Sequence, residues 1–203
     1  MILGLKVQPR LADSLERMFF RRVRILQLAI LVVVCGLVHS PRASLLRAMG
    51  LVELANSADR IVVGKVQSVH AAWDLQHRKI ISTIEVDIED IWKGLQAGNR
   101  RVTIVQPGGS VGDMEMTVQG MPSFILGEKS LLFLHGQQVV GMGQGKRALA
   151  WDDASKQWLV QSPETEGVVE VGPDAKLRQA KRQDPIPLRD LREQVRRVLE
   201  STP

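Results

Sequence analysis

Residues 82–94, S-T-I-E-V-D-I-E-D-I-W-K-G, constrain the fold more than any other stretch of this chain. Ile84, Val86 and Ile88 fall on one parity of a two-residue repeat, and Thr83, Glu85, Asp87 and Glu89 fall on the other. A strand turns successive side chains to opposite faces, so this pattern predicts a strand with one buried and one wet face. β-Branched residues suit such a pleated, half-buried surface. Lys93-Gly94 closes the stretch where glycine can open a turn.

Strand signals continue on both sides. Residues 61–69 read as a first strand, with Gly64 marking a bulge or sharp bend. Residues 80–91, 101–106, 114–118, 139–142, 146–151 and 157–161 read as further strands, with a hairpin turn at 152–156. The run at 130–135 is apolar on both parities and is expected to be the most enclosed strand. Two helices flank them. Residues 44–58 carry Leu45, Met49, Val52 and Leu54 at helical spacing, weakened by Gly50. In 185–203, Leu188, Leu191, Val195, Val198 and Leu199 share one face, mostly opposite Arg189, Arg192, Arg196 and Arg197. Between barrel and helix, 162–184 reads as a polar linker containing proline and glycine.

The first 43 residues differ in kind. They hold 7 of the 27 basic residues and 2 of the 22 acidic ones, leaving 20 of each in 44–203. The net charge of +5 therefore sits in the leader, and the remaining domain offers no global electrostatic case for nucleic acid. A basic cluster at 20–24 precedes an apolar run at 25–38. That run is shorter than the roughly 20 residues a spanning helix needs, and it suits a signal-peptide core. Residues 1–43 are thus expected to be a signal peptide for a secreted or periplasmic protein, with Met18 as a possible true start. The alternative is an anchor to the inner membrane by uncleaved residues 25–38, the only membrane contact expected. Cys35 follows the bulky Val34, against lipidation. With the leader removed no cysteine remains, so neither a disulfide nor a thiolate metal site is expected.

Catalytic patterns are weak. There is no His-Glu-x-x-His, the Gly-x-Ser-x-Gly match at 108–112 lies between strands rather than opening a helix, and His70 and His77 stand at a spacing no metal site uses. Asp152-Asp153 reads as turn chemistry. The glycine-rich loop at 107–112 lacks the Gly-Lys-Ser/Thr ending of a phosphate loop. Its small side chains are expected to leave backbone N–H groups accessible. Gly108, Gly109, Ser110 and Gly112 are therefore the candidate residues for ligand or partner contact. No catalytic residue, metal or cofactor is expected.

Three segments together resemble the netrin/tissue-inhibitor-of-metalloproteinase module over residues 51–145. They are A-D-R-I-V-V-G-K-V at 58–66, I-E-D-I-W-K-G at 88–94, and Gly127-Glu128 ahead of L-L-F-L at 131–134. With Gln144-Gly145-Lys146, the chain is also similar to secreted bacterial proteins of unknown function that resemble companions of metalloproteases. The resemblance implies an OB-like barrel. It carries over no inhibitory mechanism, because the inhibitors act through an N-terminal cysteine and disulfides that this domain lacks.

The expected fold is all-β. It is a small closed OB-like barrel of five to seven strands over 44–161, with flanking N- and C-terminal helices. The expected function is an exported, non-enzymatic binding module. The alternatives are an inhibitor or accessory protein of a secreted metalloprotease, and an enzyme without a recognisable motif. The expected partner is a secreted protease or another envelope protein.

Overall fold

The computed structural model describes residues 46–94, 98–163, 168–171, 177–179 and 183–201. All belong to the unit Ser44–Pro203. The expected signal peptide, the start at Met18 and the apolar run 25–38 lie outside the described residues. Among the described residues, no helix is long and apolar enough to cross a membrane.

The chain opens with β1 (Leu46–Arg47) and α1 (Leu51–Ser57), followed by the two long strands β2 (Arg60–Trp73) and β3 (Ile80–Lys93). Next come β4 (Arg101–Pro107), the small hairpin β5 (Gly109–Val111) and β6 (Met114–Met116), then β7 (Lys129–His135) and β8 (Gln138–Val139). A 3₁₀ turn (Met142–Gly145) leads into β9 (Lys146–Asp152) and β10 (Gln157–Val160). β11 (Val168–Val171), β12 (Leu177–Gln179), β13 (Ile186–Pro187) and α2 (Leu188–Ser201) complete it.

The main sheet is antiparallel, in the order β13-β10-β9-β7-β2-β3-β4, with β8 paired to the end of β7. Both faces of its centre are buried. On one face Ile61, Val63, Leu131, Phe133, Leu149 and Val160 pack against Leu54 and Ala55 of α1 and Leu191 and Val195 of α2. On the other, Val62, Val66, Ile84, Val86, Val102, Ile104, Leu132 and Leu134 fill the inside of a curl. This is why 130–135 is apolar on both parities: odd residues meet the helices and even residues meet the curl. β3 lies beyond the helices for much of its length, so its outer parity stays polar, with Glu85 and Asp87 held by Arg101.

The mostly-β architecture with two helices matches the expectation, but the closed barrel does not form among the described strands. β4 and β13 end the sheet without pairing to each other. The curl brings β4 back only far enough for the Val105 N–H to donate to Gln137 O at 2.8 Å. Beyond that point β8 lasts two residues before Gly141, in the left-handed region, turns the chain into the 3₁₀ segment, so a full ladder cannot grow.

Two expectations change and one holds. The leading helix spans Leu51–Ser57 rather than 44–58, because Gly50 adopts an extended conformation as its N-cap and Leu46–Arg47 pairs in parallel with β11. The stretch expected as a linker, 162–184, contains β11 and β12, which pair with one another. The bulge expected at Gly64 is one of three register shifts between β2 and β3.

Candidate functional site

The glycine loop is a joint in the fold before it is a surface. Gly108 is buried, its N–H donates to Ile80 O at 2.9 Å, and its carbonyl accepts from Ser82 Oγ at 2.7 Å. Gly109 has φ 124°, and a Cβ there would stand 2.5 Å from Ser82 Oγ and 2.8 Å from Ala71 Cβ. Only glycine fits so close to β2 and β3 in that left-handed conformation. The accessible N–H expected at Gly108 is therefore engaged within the chain. Ser110 and Gly112, at the hairpin tip, are exposed. Gly108 and Gly109 also line a cleft of about 260 Å³ with Met116, Met121 and Phe124. Gln106 Nε2 donates there to Pro122 O at 2.9 Å.

The other sequence motifs are joints too. Lys93 Nζ donates to Ala55 O at 2.8 Å and Ala58 O at 2.6 Å, placing a cation on the orphan carbonyls at the end of α1. Gly94 has φ 77°, and a Cβ there would lie 1.8 Å from Asp59 O. The Asp59 carboxylate accepts the Gly136 N–H at 2.7 Å, and this bond, helped by Arg60, holds its carboxyl below the ordinary value of 3.8. Glu128 and Lys146, drawn from two separate motifs, form an ion pair of 2.8 Å with side chains 16% and 5% exposed. Lys146 also lies over the Phe124 ring at 5.1 Å. Gln144 accepts the Met49 N–H at 2.7 Å and donates to Arg47 O at 3.1 Å, fastening the segment ahead of α1.

The titratable residues considered for catalysis do not converge. His77 stacks on Trp73, while His135 stands 3.9 Å from Asp59. Asp152 accepts the Ser155 N–H at 3.0 Å and its hydroxyl, and these bonds lower its carboxyl below the ordinary range. Asp153 instead pairs with Lys156 at 3.0 Å. Among the described residues, no group of three His, Cys, Asp or Glu side chains has metal-binding geometry.

A different surface gathers three of the four tryptophans. Trp151 and Trp158 face each other across the β9–β10 hairpin, in an edge-to-face contact of 5.5 Å and 66°. Trp92 reaches the same cleft from the far end of β3, its Nε1 donating to Asp90 Oδ2 at 2.9 Å. α2 supplies Leu188, Arg189 and Arg192 from its first turns. Arg192 pairs with Asp90 at 3.1 Å and stands 6.0 Å from the Trp92 ring centroid. Lys129 lies over Trp158 at 4.3 Å and pairs with Glu89. Trp151 remains 47% exposed, and the cleft encloses about 350 Å³.

Sequence reasoning missed this cleft. One signal was present: Trp151 and Trp158 flank the expected hairpin turn and become cross-strand neighbours once its register is set. Nothing in the spacing of Trp92 or Arg192 joins them to that pair.

No protein-family model matches the chain, and no curated protein matches it.

Proposed function

We propose that the protein is an exported, non-catalytic binding module that meets a partner protein of the envelope at the tryptophan cleft. The observation that carries this reading is Trp151, nearly half exposed beside Trp158 and Trp92 and rimmed by arginines. Tryptophan and arginine dominate the centres of protein interfaces, because large flat side chains bury much surface at small entropic cost. The scaffold beneath is rigid: the motif residues fasten α1, the hairpin and the curl. We read the curl as an OB-like barrel left open at one seam, with the single Val105–Gln137 bond as its support. The export half of the proposal rests on the leader.

The test places a photo-crosslinking phenylalanine analogue at position 151 in the native host. A second chain carries it at Leu75, in the exposed turn between β2 and β3. The expected result is a crosslink to one envelope protein from position 151 and none from position 75. A purified sample of that protein should bind wild type at least about tenfold more tightly than Trp151→Ala. Equal crosslinking from both positions, or equal binding, would refute the assignment of the site. A reporter fused after residue 50 that remains in the cytoplasm would refute export.

A further inference from the structure

A second cleft, of about 220 Å³, opens beside α1 and α2 where β9 and β10 pass beneath them. Met49, Val160 and Leu191 contribute apolar wall, and Ser162 and Gln194 contribute polar wall. Arg147 enters it from β9. Arg147 pairs in register with Leu131, and Leu149 lies two residues on, so Arg147 leaves the sheet on the helix-covered face with those core residues.

Its situation differs from that of the paired arginines. Arg60, Arg101, Arg189, Arg192 and Arg196 each hold a carboxylate. Arg147 has neither an ion pair nor a hydrogen-bond acceptor among the described residues. Burial without compensation pushes its guanidinium down to about 10. A charge withdrawn from water is costly unless paired, and Asp184, which also lines the cleft, is exposed and makes no ion pair with Arg147, so the guanidinium is open to an anion.

We propose that this cleft binds a monocarboxylate, with the guanidinium of Arg147 taking the carboxylate and the ligand's short apolar part lying against Met49, Val160 and Leu191. Charge and shape select the class. A planar guanidinium matches a carboxylate through two parallel N–H···O bonds. One cation neutralises one anionic charge. A phosphate dianion would leave a net negative charge between apolar walls, and would meet Asp184 at the cleft wall with twice the charge of a carboxylate. The volume is below that of a drug-sized pocket and suits a group of only a few carbon atoms. Two sources share this chemistry, a free short-chain acid and the terminal carboxylate of a peptide. The site is distinct from the tryptophan cleft, and each can fail without the other.

The test is calorimetric titration of the purified chain with 3-methylbutanoate, 3-methylbutanamide, inorganic phosphate, and N-acetyl-alanyl-leucine in its free-acid and amidated forms. The acids should bind at least about tenfold more tightly than the matching amides, and more tightly than phosphate. Arg147→Met should reduce acid binding to the level of the amide, whereas Trp151→Ala should leave it unchanged. Arg147→Met should also melt no lower than wild type, because it removes an uncompensated charge. Tighter binding of the peptide acid identifies a chain terminus as the ligand, and tighter binding of 3-methylbutanoate identifies a free acid. Equal affinity for acids and amides, tighter binding of phosphate, no acid binding at about 10 mM, or failure of Arg147→Met to fold would each overturn the proposal.

Discussion

The glycine hairpin and the tryptophan cleft lie at opposite ends of β3, and they use their residues in opposite ways. At the hairpin end, Gly108 spends both backbone groups on β3, and Gly109 fits only because it lacks a side chain. At the cleft end, Trp151 stands 47% exposed beside Trp158 and Trp92. Residues that a fold needs are satisfied by the fold itself. By that criterion the Gly-Glu, Gln-Gly-Lys and Lys-Gly motifs are fastenings, whereas the tryptophan cleft is the surface proposed above for a partner.

The strongest challenge to this contrast is the Glu128–Lys146 pair. If it fastens the curl, Glu128→Gln leaves a buried ammonium without its counter-charge and should cost about 3 kcal/mol. The double variant Glu128→Leu/Lys146→Met removes both charges and should recover most of that loss. Denaturant melts of the two variants decide the matter. A near-neutral Glu128→Gln would mean that the motif serves something other than stability.

The hairpin and the cleft can be set against each other directly. Gly109→Ala forces a side chain into a left-handed backbone and against Ser82, at a cost of about 2 kcal/mol. Trp151→Ala removes a half-exposed ring and should cost about 1 kcal/mol or less, mainly its contact with Trp158. Partner binding should run the other way, falling in Trp151→Ala and persisting in Gly109→Ala under conditions where it stays folded. If both changes unfold the chain equally, the cleft is as structural as the hairpin.

The smallest effect expected is at Asp59. Its carboxyl is held below the ordinary value chiefly by the Gly136 N–H, so the ionised form favours the folded state. This contribution is fully present above the ordinary carboxylate value of 3.8 and is lost as pH falls through the lower folded value. Because the group is exposed and screened, the stability gap between wild type and Asp59→Asn should be under about 1 kcal/mol at neutral pH. It should shrink in acid melts below that range. A gap that stays constant down to acid pH would show that the charge at Asp59 is not what holds Gly136.

Much of the sheet was legible because its signals are local. The alternation at 83–88 reports one covered face, and the unbroken apolar run at 131–134 reports two. The turn at 152–156 follows from its polar residues, and the apolar stripe of α2 from spacing alone. The glycine loop was legible as a loop, but its role was not. Whether Gly108 offers its N–H outward depends on Ile80 and Ser82, more than 25 positions away. The same limit hid β11 and β12 inside an apparent linker, since a short strand is recognisable only beside its partner.

The sequence by itself determined that this is a mostly-β domain with two helices and a central enclosed strand, and that the first 43 residues carry the net charge while the rest is neutral. Those properties follow from periodicity and composition, which each residue carries irrespective of its neighbours in space. Only the tertiary structure decided that the described strands stay open, that Glu128 meets Lys146, that three tryptophans share one cleft, and that Arg147 has no counter-ion among the described residues. Each of these depends on register and curl, which bring distant positions within bonding distance. A one-residue change of register would send the same side chains to the opposite face.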